Sequence, residues 1–295
     1  MTEFFAVVTG RDYIKINGKQ VPFWDLLDSQ PDGWLTSIAN IRRGIPQSKV
    51  RIVDCGAWTY RKDDVPQIKK TPIDSHSVFD FYDGVARPSD FVVAPDHMYM
   101  KGCDMDARRL FNKTQAKLFL AECADRGFKK PMAVVHGADM EEKIEYANFL
   151  IDLGYSNLCL GGLAAYARNK DKNITSVQEI VNELSKKGDF WIHVLGLSSP
   201  DYARAWKKIG VSSFDGSSYF KKALMHGVFL VPSKNSNGFI DKKTKDGIDY
   251  VCSCRACVTA REAGNDTRTF GNSIRNIGRA AHNLNVLMLA HKEIL

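Results

Sequence analysis

Residues 190–215 read FWIHVLGLSSPDYARAWKKIGVSSFD. An apolar run, Phe190–Leu195, ends at Gly196; Ser199-Pro200 then opens a helix pattern over 199–209, and Gly210 stops it. A second apolar run, Val211–Phe214, closes on Asp215. Strand, helix and strand in so short a span make a βαβ unit with parallel strands. The same grammar repeats upstream. Short apolar runs fall at Val50–Val53, Phe91–Ala94, Met132–Val135 and Leu158–Leu160, with helix patterns over 113–126, 139–153 and 175–187. Asn112, Asp139 and Thr175-Ser176 serve as their start signals, and Gly127, Gly154 and Gly188 as their stops.

What separates the α/β architectures is where the polar residues fall. Asp54 follows the Val50–Val53 run and Asp96 follows Phe91-Val-Val-Ala-Pro. His136-Gly137 follows Val135, Gly161-Gly162 follows Leu160, Gly196 follows Leu195 and Asp215 follows Phe214. Barrel enzymes build their sites at strand C-termini all round the ring, whereas an open doubly wound sheet concentrates its site at one switch point. The expected fold is therefore an α/β (β/α)8 barrel over residues 1–232, its missing strands near Trp34–Ile38 and Val228–Val231. A small zinc-binding subdomain and a C-terminal helix follow over 233–295, the helix completing the barrel.

The chain has 295 residues, 44% hydrophobic and 25% charged, which excludes disordered, collagen-like and coiled-coil classes. No apolar run approaches the roughly 20 residues of a membrane span, and the start of the chain lacks a basic leader. A soluble, cytoplasmic protein with no membrane partner is expected. The net charge is +7. Residues 207–279 carry thirteen Lys/Arg against six Asp/Glu, so this segment holds the whole excess, as suits a polyanionic partner.

Seven cysteines, an odd number, speak against a disulfide framework. Cys252-Ser-Cys254-Arg-Ala-Cys257 brings three thiolates onto one turn, as a closed structural zinc site requires. A downstream helix over about 272–291 offers His282 as the fourth ligand, with His291 also available on it. Cys103, Cys123 and Cys159 read as small buried hydrophobes. Asp54, Asp96 and Asp215 face one mouth of such a barrel, and paired carboxylates can perform nucleophilic and acid/base work at an anomeric carbon. Neither GxGxxG nor GxxxxGK[ST] occurs.

In order along the chain, these segments resemble the tRNA-guanine transglycosylase superfamily, from about residue 50 to the C-terminus. Asp54-Cys55-Gly56-Ala57 is similar to the family's Asp-Ser-Gly-Gly. Pro95-Asp96 stands at its base-reading aspartate, and Val135-His136-Gly137 at its Val-Gln-Gly. Leu160-Gly161-Gly162-Leu163-Ala164 resembles its Gly-Gly-Leu-Ala loop, and His193-Val-Leu-Gly196 its strand ending in glycine. Phe214-Asp215-Gly-Ser-Ser-Tyr219 is similar to the archaeal Phe-Asp-Ser-Ala-x-Tyr. Cys252, Cys254, Cys257 and His282-Asn283-Leu284 correspond to its zinc element.

The resemblance implies a pentosyltransferase in which Asp215 is the nucleophile and Asp54 the general acid/base. Asp96, His136, Gly137, Gly161, Gly162 and Tyr219 bind substrate, and one structural Zn2+ is held by the three cysteines and His282. It further implies a guanosine flipped out of its stack. Phe81-Tyr82, Trp191 and Tyr219 are available to stack on bases. Departures are His136 for Gln, Cys55 and Ala57 for Ser and Gly, and Phe220-Lys221-Lys222 for an arginine motif. With the short length, they resemble the compact branch, found in phages and bacterial modification clusters, that inserts a 7-deazaguanine of the preQ0/preQ1 type into DNA. The alternatives are action on tRNA, or a non-catalytic zinc-bearing nucleic-acid-binding subunit; a homodimer is compatible with either.

Overall fold

A computed structural model describes residues 1–41, 44–163 and 169–295. Eight parallel strands close into a barrel in chain order: β1 (Glu3–Val8), β2 (Gly33–Ser37), β3 (Arg51–Asp54), β4 (Phe91–Val93), β5 (Lys130–Val135), β6 (Asn157–Leu160), β7 (Trp191–Val194) and β8 (Ser213–Gly216). The ring shuts where β1 pairs with both β2 and β8, Phe5 lying beside Gly33 on one side and Asp215 on the other. Strand alternation sorts the side chains. Phe5, Leu35, Ile52, Phe91, Val93, Met132, Val134 and Cys159 form one buried cluster, and their strand neighbours Phe4, Ala6, Val53 and Val92 join the larger core. Gly33 makes room for Phe5, since a Cβ there would sit 2.6 Å from its ring.

The strand expected near Trp34 is β2, but the one expected at Val228–Val231 is not in the barrel. Val228–Pro232 (β9) pairs antiparallel with Phe239–Lys243 (β10), and the N-terminal β1 takes the vacant place in the ring. β1 reads Glu-Phe-Phe-Ala-Val-Val, apolar nearly throughout, as a strand buried on both faces must be.

Helices cover the outside: α1 (Met105–Asp125), α2 (Met140–Asp152), α3 (Lys170–Ser185), α4 (Pro200–Ile209) and α5 (Ser218–His226). Asp139 and Ser199 cap α2 and α4 as expected, each side chain accepting from the backbone N–H three residues on. Two starts lie earlier than expected. Asp104, not Asn112, caps α1, and Asn169, not Thr175-Ser176, caps α3. Asn112 is buried inside α1, where it has another task.

Beyond the barrel, β9, β10, α6 (Arg255–Glu262) and α7 (Ser273–Ile294) form the C-terminal element. Asn283 of α7 accepts from Leu230 N–H at 2.9 Å and donates to Val228 O at 2.9 Å, stitching the helix to β9. Among the described residues no helix is long and apolar enough to cross a membrane.

Candidate active site

The strand order carries Asp54, Asp96, His136, Gly161, Gly196 and Asp215 to the C-terminal ends of β3–β8, on one face of the barrel. Two groups of contacts form among them, one around Asp96 and one around Asp215.

Asp96 is 5% exposed. Its Oδ2 lies 2.7 Å from His136 Nε2, and its Oδ1 accepts from Cys55 Sγ at 3.2 Å. Behind Cys55, the Tyr60 hydroxyl donates to the sulfur at 3.5 Å. Burial and then the Asp96 carboxylate push the Cys55 thiol well up, so it remains an S–H donor rather than a nucleophile. The loop holding Asp96 is clamped from outside. Asn112 accepts from His97 N–H at 2.7 Å and donates to His97 O at 3.1 Å, and the buried Arg108 donates to Met98 O. Tyr99 lies against the His136 ring, centroids 5.3 Å apart.

Asp54 Oδ2 accepts from Gly56 N–H at 2.9 Å. Desolvation above all, and next the charge of Asp96, raise its carboxyl to about 7; Gly56 and Ser37 oppose the shift, and Asp215 adds to it. The three aspartates thus share one field, and Asp54 can carry a proton at neutral pH. Asp215, 5% exposed, accepts at Oδ1 from Gly196 N–H at 2.9 Å and meets His193 Nε2 at 3.1 Å. Both partners sit on the same oxygen.

Gly161 fits under the mouth because a Cβ there would lie 2.6 Å from the Val134 side chain and 4.0 Å from the His136 ring. Gly162 adopts φ +76° with open space around it. Gly137 instead abuts the start of α2, where a Cβ would lie 2.5 Å from Lys143 N; its small size serves packing. Ala164 lies outside the described residues. Tyr219 is 1% exposed, stacked with Phe23 and donating to Val7 O at 2.8 Å, so its ring is closed to a base. Tyr82 is likewise fully buried, its hydroxyl donating to Val93 O, and Trp191 stacks on Phe91 toward the barrel interior. Trp58, by contrast, is 52% exposed, with Arg61 4.1 Å over its ring. It stands four residues past Asp54 in the sequence.

The sulfurs of Cys252, Cys254 and Cys257 and a ring nitrogen of His282 all lie within 4.8 Å of one another. His282 Nε2 is 2.7 Å from Leu230 O, which leaves Nδ1 to face the sulfurs, 3.5 Å from Cys254 Sγ. Such an outer bond fixes the tautomer of a metal-ligating histidine, and three sulfurs with one nitrogen suit a tetrahedral structural zinc. His291 is not in this cluster. Its ring packs between Phe4 and Phe214, with Nε2 3.0 Å from Ser198 O. Of the remaining cysteines, Cys123 and Cys159 are buried as expected, whereas Cys103 is half-buried.

No protein-family profile matches the chain. It is similar to a protein of Salmonella montevideo named DNA-guanine transglycosylase, 24% identical over 229 residues, which cover 69% of this chain and 52% of the relative. The chain thus spans about half the length of the curated relative it matches. Motif order, a closed barrel with its aspartates on one face, and this match converge on a relationship with the guanine transglycosylases.

Proposed function

We propose that the protein exchanges guanine in DNA for a 7-deazaguanine through a covalent glycosyl-aspartate. The observation that carries this reading is the contrast between two carboxyl groups in one field. Asp54 is held up to about 7 and can give a proton, while Asp215 Oδ1 accepts from Gly196 N–H and lies 3.1 Å from His193 Nε2.

Asp215 Oδ2 attacks C1′ of an extruded guanosine; the C1′–N9 bond breaks, its electron pair stays with the purine, and Asp54 gives the purine a proton. The incoming base then loses its N9 proton to the Asp54 carboxylate. N9 attacks C1′, and the Asp215–C1′ bond breaks with its electrons returning to the carboxylate. No net redox change occurs, and two carboxylates perform the double displacement of a retaining glycosidase, with a base in place of water. Asp96 accepts from N1–H and the exocyclic amine of guanine, a donor pair adenine lacks, while His136 stays at its side. Cys252, Cys254, Cys257 and His282 would hold a zinc ion, which would supply a structural cross-link between α6 and α7, and these residues move no proton in the exchange. Exposed basic residues within 207–279 hold phosphates flanking the extruded nucleotide; the buried Arg279, and Lys207 and Lys208 at the far end of α4, do not.

DNA is preferred as substrate on the name of the similar Salmonella protein, a DNA-guanine transglycosylase, and on the departures from the tRNA-type motifs. Purified protein is incubated with radiolabelled guanine and either duplex DNA or tRNA, then with a 7-deazaguanine as chase. Label in DNA that the chase displaces supports the reading; label entering only tRNA transfers the chemistry to that substrate, and label entering neither refutes it. Asp215→Ala is expected to abolish exchange and any covalent nucleic-acid adduct on a denaturing gel. An adduct that persists would refute the nucleophile assignment.

A further inference from the structure

Behind Asp215 lies a chain of polar groups, buried at His193 and Ser213, to which the proposed exchange assigns no proton-transfer step. Trp191 Nε1 donates to Ser213 Oγ at 3.1 Å, Ser213 Oγ lies 2.7 Å from His193 Nδ1, and His193 Nε2 lies 3.1 Å from Asp215 Oδ1. Adjacent parallel strands make this possible: Trp191 and His193 alternate along β7, Ser213 and Asp215 along β8, and His193 and Ser213 are register partners. His193 and Ser213 are fully buried, and the edge of Phe5 closes on the imidazole at 5.6 Å.

The hydrogen-bond inventory allows one direction along the chain. An indole N–H only donates, so Ser213 Oγ accepts from Trp191 and has one proton of its own to place. That proton points to His193 Nδ1, which is then the acceptor, and the imidazole proton resides on Nε2, where it is donated to Asp215. A proton on Nδ1 would give Ser213 Oγ two donors and leave its own hydrogen without a partner in the barrel interior. The order of residue types matches that of a serine hydrolase triad, but its sense is opposite: the serine is sealed at the far end and the carboxylate faces the mouth.

We propose that Trp191, Ser213 and His193 are positioning residues that lock His193 as the Nε2–H tautomer and thereby aim the nucleophile. With Gly196 N–H and His193 Nε2–H both on Oδ1, that oxygen is held and Oδ2 is the one presented to C1′. When the glycosyl-aspartate forms through Oδ2, Oδ1 becomes its carbonyl oxygen. The same two donors then receive the negative charge that returns to the carboxylate as the intermediate breaks down, as preorganised donors do in other acyl-type sites. This role rests on the proposed transglycosylase reading for its chemistry, but not for its tautomer.

Two measurements separate those parts. In protein labelled with 15N-histidine, the ring nitrogens of His193, assigned by its loss in His193→Gln, are expected to show the Nε2–H tautomer in the wild type and in Ser213→Thr. Ser213→Ala is expected to shift the resonance toward a tautomer mixture. The wild type in the Nδ1–H form, or no change in Ser213→Ala, would overturn the proposal whether or not the protein is a transglycosylase. In single-turnover formation of the covalent adduct, His193→Leu is expected to lose about 10²-fold or more in rate with DNA affinity unchanged, the scale of one lost charge-stabilising donor. His193→Gln, whose amide can donate in its place, is expected to recover at least tenfold of that, and Ser213→Thr to remain near wild type. Equal losses in Leu and Gln variants, or a loss confined to DNA affinity, would overturn the aiming role. A wild type that forms no adduct with any nucleic acid would instead refute the proposed function, leaving the NMR result to judge the tautomer lock alone.

Discussion

Replacing Asp54 with Asn is expected to stabilise the protein at pH 8 while destroying its function. In the folded chain the Asp54 carboxyl is raised from 3.8 to about 7, first by desolvation and next by Asp96. A folded pKa above the unfolded one favours the protonated form on folding. The resulting stability is fully present below about pH 4, falls as pH rises between the two pKa values, and is gone above about 7. One pKa unit is worth about 1.4 kcal/mol, so the wild type loses about 4 kcal/mol across the window. Asn has no charge to desolvate, and its Oδ1 can still accept from Gly56 N–H. The difference in unfolding free energy between Asp54→Asn and wild type is therefore expected to grow in favour of the variant by about 2 kcal/mol between pH 5 and 7, then level off. Urea unfolding of both proteins at half-unit pH steps reads this directly, with m-values compared to confirm that the same transition is followed. A difference independent of pH over that range would show that Asp54 is already ionised at pH 5, and would remove the neutral-pH general acid from the proposed mechanism.

Three further outcomes follow from the same physics. Asn112→Ala strips the clamp from His97 and leaves a buried N–H and C=O without partners, which costs about 3 kcal/mol in denaturant unfolding and weakens guanine binding through Asp96. His291, whose pKa is depressed to about 4 by burial, supplies stability that is present above 6.5 and lost as pH falls toward 4. His291→Phe is expected to remove about 3 kcal/mol of that acid-side loss, seen as a flatter stability profile from pH 6.5 to 4, with a constant offset for the lost bond to Ser198 O. Cys254→Ser is expected to abolish stoichiometric zinc by elemental analysis and lower the melting temperature; full metal retention would show that the cluster does not depend on this thiolate.

The barrel was legible because polar residues at strand ends survive any uncertainty about where a helix begins. Asp54, Asp96, His136 and Asp215 are visible one at a time, each as the punctuation of an apolar run. What escaped notice needed the third dimension. β1 is apolar on both faces and is followed by no helix that would mark a βα unit before β2, so its pairing with Ser213–Gly216, more than two hundred residues on, is what marks it as the strand that closes the barrel. Val228–Val231 looks the same by composition, and only the partner β10 distinguishes it. Asn112 has the residue type of a helix cap, but its task is set by the loop it faces. The Trp191–Ser213–His193 chain consists of next-but-one positions on two strands that pair in register, and nothing in either strand alone links them. The protonation of Asp54 likewise depends on neighbours brought together by β4 and β8.

The seam of the ring joins the beginning of the chain to a point past residue 213. During synthesis β1 can find β2 early, but its other edge stays open until β8 has left the ribosome, and contacts of such separation form slowly. His291, wedged between Phe4 of β1 and Phe214 of β8, comes later still. Asp215 therefore takes its final setting only once β8 has closed the ring, and a nascent barrel stalled before β8 would present β1 as a raw apolar edge to chaperones or to other chains.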